Sequence, residues 1–215
     1  MAFRRGTLWS ATLKNRPSDA MTYAHVPARF ARITDETRRH LIKTASQMDP
    51  ISPDALQRRF DQGSHCYGAW IDDSLVSYGW LTCGPEWVGE FERNLQIPPG
   101  DAYIWDCATL PDYRRQGLFR SLLSFIVSEL QHGEIERLWI ISVLKAPAIA
   151  RGISDAGFEP VASLAYLRFS RLRGTSIQPC AGVSSSQFSL ARQILNYRPL
   201  YSGRWSPERP PDTHF

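Results

Sequence analysis

The spacing of apolar residues along the chain changes between about 3.6 and 2, and the changes mark the elements. Residues 34–48 have Thr34 as a helix cap, Asp35 and Glu36 in the first turn, and a stop at Asp49-Pro50. A second helix starts at Ser52-Pro53, keeps Leu56 and Phe60 four apart, and ends before Gly63. The period then falls to 2: His65 to Ile71 and residues 75–82, joined through Asp72-Asp73-Ser74, predict an antiparallel hairpin. Past a loop that closes with Pro98-Pro99-Gly100, residues 102–110 predict a buried strand. A helix follows from Gly117, its apolar positions Leu118, Phe119, Leu122, Leu123, Ile126, Val127 and Leu130 recurring at three and four. Residues 137–144 predict another buried strand, 147–156 a short helix ended by Gly157, and 160–169 a last strand. The expected core order is αα-ββ-β-α-β-α-β.

The ends have a looser texture. Residues 1–20, with Arg4, Arg5, Lys14 and Arg16 before the first acid at Asp19, read as a basic N-terminal arm. Residues 173–215 read as a basic tail holding Ser184-Ser185-Ser186, one helix near 188–195, and prolines at 207, 210 and 211. The folded domain is expected over residues 21–172.

At 215 residues, 43% hydrophobic and 21% charged, with no apolar run near the ~18 residues of a membrane-spanning helix, the chain is expected to be a soluble, cytoplasmic domain with no membrane partner. Its net charge of +4 conceals strong local imbalances: +6 over residues 1–60, −8 over 61–113, +1 over 114–167 and +5 over 168–215. The basic ends alone hint at nucleic acid, but no recognition helix or set of interleaved stacking aromatics accompanies them, so nucleic acid is not expected as a partner. Cys66, Cys83, Cys107 and Cys180 lack ligand spacing with one another and with the five histidines, so neither a metal site nor a disulfide framework is expected.

The informative segment is the strand-loop-helix between Tyr103 and Leu130. A helix start leaves backbone N–H groups unpaired at the positive end of its dipole, Gly117 permits close approach, and Arg114, Arg115 and Arg120 add charge, which together suit a phosphate. With no second glycine and no Lys-Ser/Thr pair, the loop fits neither a Walker nor a dinucleotide-binding motif. The stretch DCATLPDYRRQGLFRSLL, residues 106–123, resembles the acyl-CoA-binding motif Q/R-x-x-G-x-G/A of the GNAT (GCN5-related N-acetyltransferase) superfamily. The segment SDAGFEPV, residues 154–161, is similar to that family's Gly-Phe segment, and the element order over 21–172 matches.

The resemblance implies an α+β GNAT fold, a central mixed, mostly antiparallel and splayed sheet flanked by helices. It implies acetyl-CoA or another acyl-CoA as co-substrate, with no metal. The backbone of Cys107, Ala108 and Thr109 corresponds to the strand edge that pairs with the pantetheine arm. Arg114, Arg115, Gln116, Gly117, Leu118, Phe119 and Arg120 correspond to the pyrophosphate loop. Phe119 stands where the family usually has Gly or Ala, so crowding of the pyrophosphate is expected. Counting back from Gly157, Ile153 stands where many members carry a tyrosine acid and Ala146 where they often carry Asn, which leaves protonation of the thiolate unassigned or to water.

A base must take the proton of an ammonium substrate. Asp106 and Tyr103 are the catalytic candidates, with Glu86, Glu90, Glu92 and His65 nearby in sequence; Cys107 beside the thioester is read as a small buried hydrophobe. Glu86, Glu90 and Glu92 are also read as substrate-binding, since the −8 stretch flanks the acceptor side in such a fold and favours a cationic amine or amino sugar. The same acids could instead pair with arginines of residues 1–60. The expected function is N-acyl transfer to a small primary amine. A silent acyl-CoA-binding module and a transferase acting on a peptide, protein or tRNA-linked amine are the alternatives, and a homodimer is left open as the assembly.

Overall fold

The computed structural model describes residues 2–14, 24–48, 51–143, 147–169 and 172–197. The Asp49-Pro50 stop, Arg16, Ala146, the end of the strand at Leu144 and the prolines of the tail lie outside the described residues.

The predicted elements form close to their expected bounds. Helix α1 spans Arg38–Ala45 and α2 spans Pro53–Asp61. The α2 start is as the sequence dictates: Ser52 Oγ accepts the Ala55 N–H at 3.2 Å and proline holds the first helical position. Helix α1 starts later than expected. Thr34 and its acids form a turn in which the Arg38 N–H donates to the Thr34 carbonyl, and Asp35 pairs with Arg38 at 2.7 Å.

The hairpin strands are β3, His65–Ile71, and β4, Ser74–Thr82. They are followed by β7, Asp101–Thr109, helix α3, Leu118–Leu130, strand β8, Arg137–Val143, helix α4, Pro147–Asp155, and strand β9, Glu159–Phe169. The remaining strands are β1, Ala2–Thr12, β2, Arg29–Arg32, the small hairpin β5, Glu86–Val88, with β6, Arg93–Leu95, and β10, Leu172–Pro179; helix α5 spans Ser185–Ile194.

Eight strands make one sheet in the order β10-β9-β1-β8-β7-β4-β3-β2. Its position corrects the expected N-terminal arm: residues 2–12 are an interior strand, antiparallel to β8 on one side and to β9 on the other. The reason lies in tertiary burial. Leu8 is turned to one face of the sheet and Trp9, Ala11 and Leu13 to the other, all buried, while Arg4 and Arg5 at the start of the strand stay exposed. The tail is likewise partly structured. Strand β10 pairs with β9, and α5 begins with a Ser184/Gln187 capping box and buries Ala191 and Ile194 in the same cluster as Leu8.

Helices α3 and α4 cover one face, where Leu122, Leu123, Ile126 and Ile153 pack against Ile104, Leu138 and Trp9. On the other face α1 and α2 pack around Trp80, and α5 with the β5–β6 hairpin packs around Trp139. Trp105 borders both of these clusters.

Candidate active site

Strands β7 and β8 are the parallel pair of the sheet, and their pairing is short. It runs from Asp101 opposite Arg137 to Ile104 opposite Ile140 and stops, although both strands continue. Asp101 closes the paired part: its buried carboxylate accepts the Trp139 indole N–H at 2.8 Å and lies 3.5 Å from Arg137. Burial pushes that carboxyl up from its usual range, and the two donors oppose the shift.

Beyond Ile104 the edge of β7 that faces β8 has no ladder partner, and β8 keeps only its bonds to β1. Strand β7 meanwhile stays attached to β4 through a bulge opposite Gly79, where Asp106 adopts a φ of +43°. Cys107, Ala108 and Thr109, the expected pantetheine edge, line this gap.

The gap ends at the loop before α3. Pro111–Tyr113 form a 3-10 turn, Arg115 has a φ of +62° and Gly117 a φ of +78°. Gly117 caps α3 without any side-chain acceptor, and no acid lies in the helix's first turn. The first-turn N–H groups that a helix leaves without carbonyl partners are thus not taken up by a cap. Arg114 and Arg115 are exposed; the Arg114 Nε–H donates to the Thr109 carbonyl at 3.0 Å and so ties the loop to the β7 edge. Arg120 lies 3.7 Å from Asp155 of α4. Leu118 is buried beneath the loop against Val76 and Ala69, so it anchors the helix start.

Phe119 departs from its expectation. Its ring packs toward α4, since a Cβ on Gly152 would lie 3.2 Å from Phe119 Cδ1. It fills the α3–α4 seam and does not account for crowding of a phosphate. Ile153, at the position of the family's tyrosine acid, is fully buried in the same core.

The candidate bases are sorted by their surroundings. Tyr103 is a correction: it is 4% exposed among Val88, Phe91, Leu95 and Trp139, and burial holds its phenol protonated far above its usual range. It is a core aromatic. Asp106 is exposed but forms an ion pair with Arg59 of α2, whose guanidinium carbon lies 4.5 Å from the Trp105 ring centroid and 5.1 Å from that of Trp80. Glu86 is half-buried; its carboxylate accepts the Trp87 N–H at 3.1 Å and feels both Arg59 and Asp106. Burial is the largest influence on it and pushes its carboxyl up. His65 accepts a hydrogen bond from Arg32 at 2.6 Å, and burial with that guanidinium lowers its basicity. Burial pushes the Cys107 thiol up, which disfavours its thiolate.

The −8 stretch does not gather into one acidic wall. Glu92 pairs with Arg168 of β9 at 2.6 Å. Asp101 and Asp106 are paired as above, and Asp72 and Asp73 sit on the β3–β4 turn. Half-buried Glu86 and exposed Glu90 lie near the buried Tyr103 of β7, on whose hydroxyl both act electrostatically. Arg59 and Trp105 were not anticipated. The only sequence signal was an arginine pair on a helix whose apolar residues are Leu56 and Phe60. Among the described residues no group of His, Cys, Asp and Glu could hold a metal ion, and no helix is long and apolar enough to cross a membrane.

A mostly antiparallel sheet with one parallel pair that separates beside an uncapped helix start defines the GNAT class of α+β fold. The profile described as the acetyltransferase (GNAT) family matches residues 32–151, and the chain belongs to that family. A GNAT-family protein from Novosphingobium aromaticivorans superposes with a TM-score of 0.53 at 14% identity, over 77% of this chain and 63% of its own. A GCN5-related N-acetyltransferase from Sphaerobacter thermophilus gives 0.53 at 12% identity, over 83% and 52%. A GNAT-family acetyltransferase from Colwellia psychrerythraea gives 0.50 at 12% identity, over 74% and 54%. This chain therefore spans between half and two-thirds of the length of these structures, and the likeness is one of fold. No curated protein sequence matches the chain.

Proposed function

We propose that the protein transfers an acetyl or related acyl group from its coenzyme A thioester to a small primary amine, with a cationic amine or amino sugar as acceptor. The observation that carries this reading is the unpaired β7 edge after Ile104, which leads into the uncapped, arginine-flanked start of α3. The backbone of Cys107 to Thr109 would pair with the pantetheine arm, and the loop from Arg114 to Arg120 would hold the pyrophosphate. The acyl-CoA supplies an activated carbonyl.

This chain's own groups then orient the amine and manage its proton. Glu86 suits the base: it lies near Tyr103 of β7, and burial raises its proton affinity toward that useful for deprotonating an ammonium. Asp106, bound to Arg59, acts as a positioning residue that fixes the bulge and the Trp105 wall. A backbone N–H on the open β7 edge is available to the oxyanion. With Ile153 buried and apolar, the leaving thiolate, whose pKa is ~8.5 for an ordinary thiol, takes its proton from water. Glu86 and Glu90 supply the negative potential that favours a cationic acceptor.

Buried Ile153 also favours a second reading, an acyl-CoA-binding module without turnover. Thiol release from acetyl-CoA and longer acyl-CoAs across amines, amino sugars and peptides separates the two. Turnover with a small amine is the expected result. Binding without thiol release from any acceptor would support the silent module, and absence of acyl-CoA binding would reject both.

A further inference from the structure

The segment before β2 lies across the loop that precedes α3. Ala24, Val26 and Ala28 alternate with exposed His25 and Pro27, and the three apolar residues pack with Leu118, Val76, Leu110 and Tyr113. The His25 backbone N–H donates to the Gln116 carbonyl at 2.9 Å, which fixes the segment to the loop. The imidazole is placed by the same contact. A Cβ on Gly117 would lie 3.2 Å from His25 Cδ2, 3.5 Å from Ala24 Cα and 3.6 Å from Arg120 Nη2, so the Ala24 backbone, the imidazole edge and a guanidinium all border Gly117.

The imidazole edge and the Arg120 guanidinium thus flank the loop at Gly117, and an anion held by the N–H groups of the helix start would come within their reach. Neutral imidazole carries one N–H in either tautomer, so it can donate to a phosphate oxygen without first being protonated. The imidazole is exposed, whereas the Arg114 Nε–H is already committed to the Thr109 carbonyl.

We infer that His25 is a ligand of the acyl-CoA pyrophosphate, contributed by a segment about ninety residues upstream of the glycine loop. The inference rests on the acyl-CoA reading above. It adds a donor that the loop motif does not contain.

The test measures dissociation constants of coenzyme A and 3′-dephospho-coenzyme A, which share the pyrophosphate, for the unaltered chain, His25→Ala and His25→Gln. A hydrogen bond to a charged group predicts that His25→Ala weakens both ligands by about 10-fold. His25→Gln, which retains an N–H donor, should recover most of that loss. Both variants keep the backbone bond to Gln116, so their melting temperatures should stay within a few degrees of the parent. Unchanged affinity, tighter binding, a loss confined to coenzyme A with its 3′-phosphate, or a loss that follows a large drop in melting temperature would each overturn the assignment. If the unaltered chain binds neither ligand, the acyl-CoA reading fails and takes this inference with it.

Discussion

The Arg59 guanidinium of α2 pairs with the Asp106 carboxylate at the β7 bulge while its carbon lies 4.5 Å from the Trp105 ring centroid. This contact joins helix α2 to the strand that borders the β7–β8 gap. Both side chains are partly exposed, 21% for Arg59 and 37% for Asp106, so solvent screening limits the pair to roughly 0.2–1 kcal/mol of stability. Asp106→Asn should therefore leave the melting temperature almost unchanged. If Asp106 positions and does not abstract a proton, the same variant should alter the Michaelis constant for the amine and lower kcat by less than about 10-fold. A loss of several hundred-fold in kcat at unchanged Michaelis constant would return the base role to Asp106.

Glu86 carries the opposite expectation. Glu86→Gln should lower kcat by about 10²–10⁴-fold, the usual contribution of a positioned base. In the unaltered protein, kcat/KM should rise with pH through a group titrating above the ordinary carboxylate value, because burial raises Glu86. Stability takes the reverse sign. A carboxyl with a raised folded pKa binds its proton more tightly when folded, so its contribution is fully present below the unfolded pKa and is lost as pH rises through the folded one. Glu86→Gln should thus melt no lower than the parent at pH 7, and a clear drop there would place Glu86 among the structural acids.

Gly117 is held at a φ of +78° with a β-carbon position 3.2 Å from His25. Gly117→Ala should cost about 1–2 kcal/mol from backbone conformation alone and weaken coenzyme A as the loop shifts. Phe119→Ala tests the neighbouring position. Since the ring fills the α3–α4 seam, its removal should destabilise the protein without tightening coenzyme A. Improved affinity, read by calorimetric titration, would show that the ring does obstruct the phosphate.

Removal of residues 2–12 should abolish cooperative thermal unfolding, because it strips an interior strand and opens two edges, on β8 and on β9. A single substitution makes the same point: a Cβ on Gly6 would lie 2.6 Å from Phe91 Cζ and 2.7 Å from the Ser142 carbonyl. Gly6→Val should lower stability by about 1–3 kcal/mol or more as β1, β8 and the β5–β6 loop are forced apart. A well-folded deletion product would mean that β1 is dispensable.

Local chemistry wrote much of this protein directly into its sequence. The Ser52-Pro53 start of α2, the Asp72-Asp73 turn, the periodic face of α3 and the glycines that end helices are decided within a few residues by capping, turn geometry and repeat. The turn into α3 belongs with them, since Gly117 takes the φ of +78° that the chain needs there. Residues 2–12 could not be read that way: Arg4 and Arg5 look like a solvated arm until β8 and β9 pair with both edges of the strand and the layers on the two faces bury Leu8, Trp9 and Ala11. Nor could the sorting of the acids, because Asp106 became a partner of Arg59, Glu92 a partner of Arg168 and Glu86 a half-buried carboxyl only when residues dozens of positions apart were packed together. Burial and ion pairing act through distance in space, and only the folded sheet sets those distances.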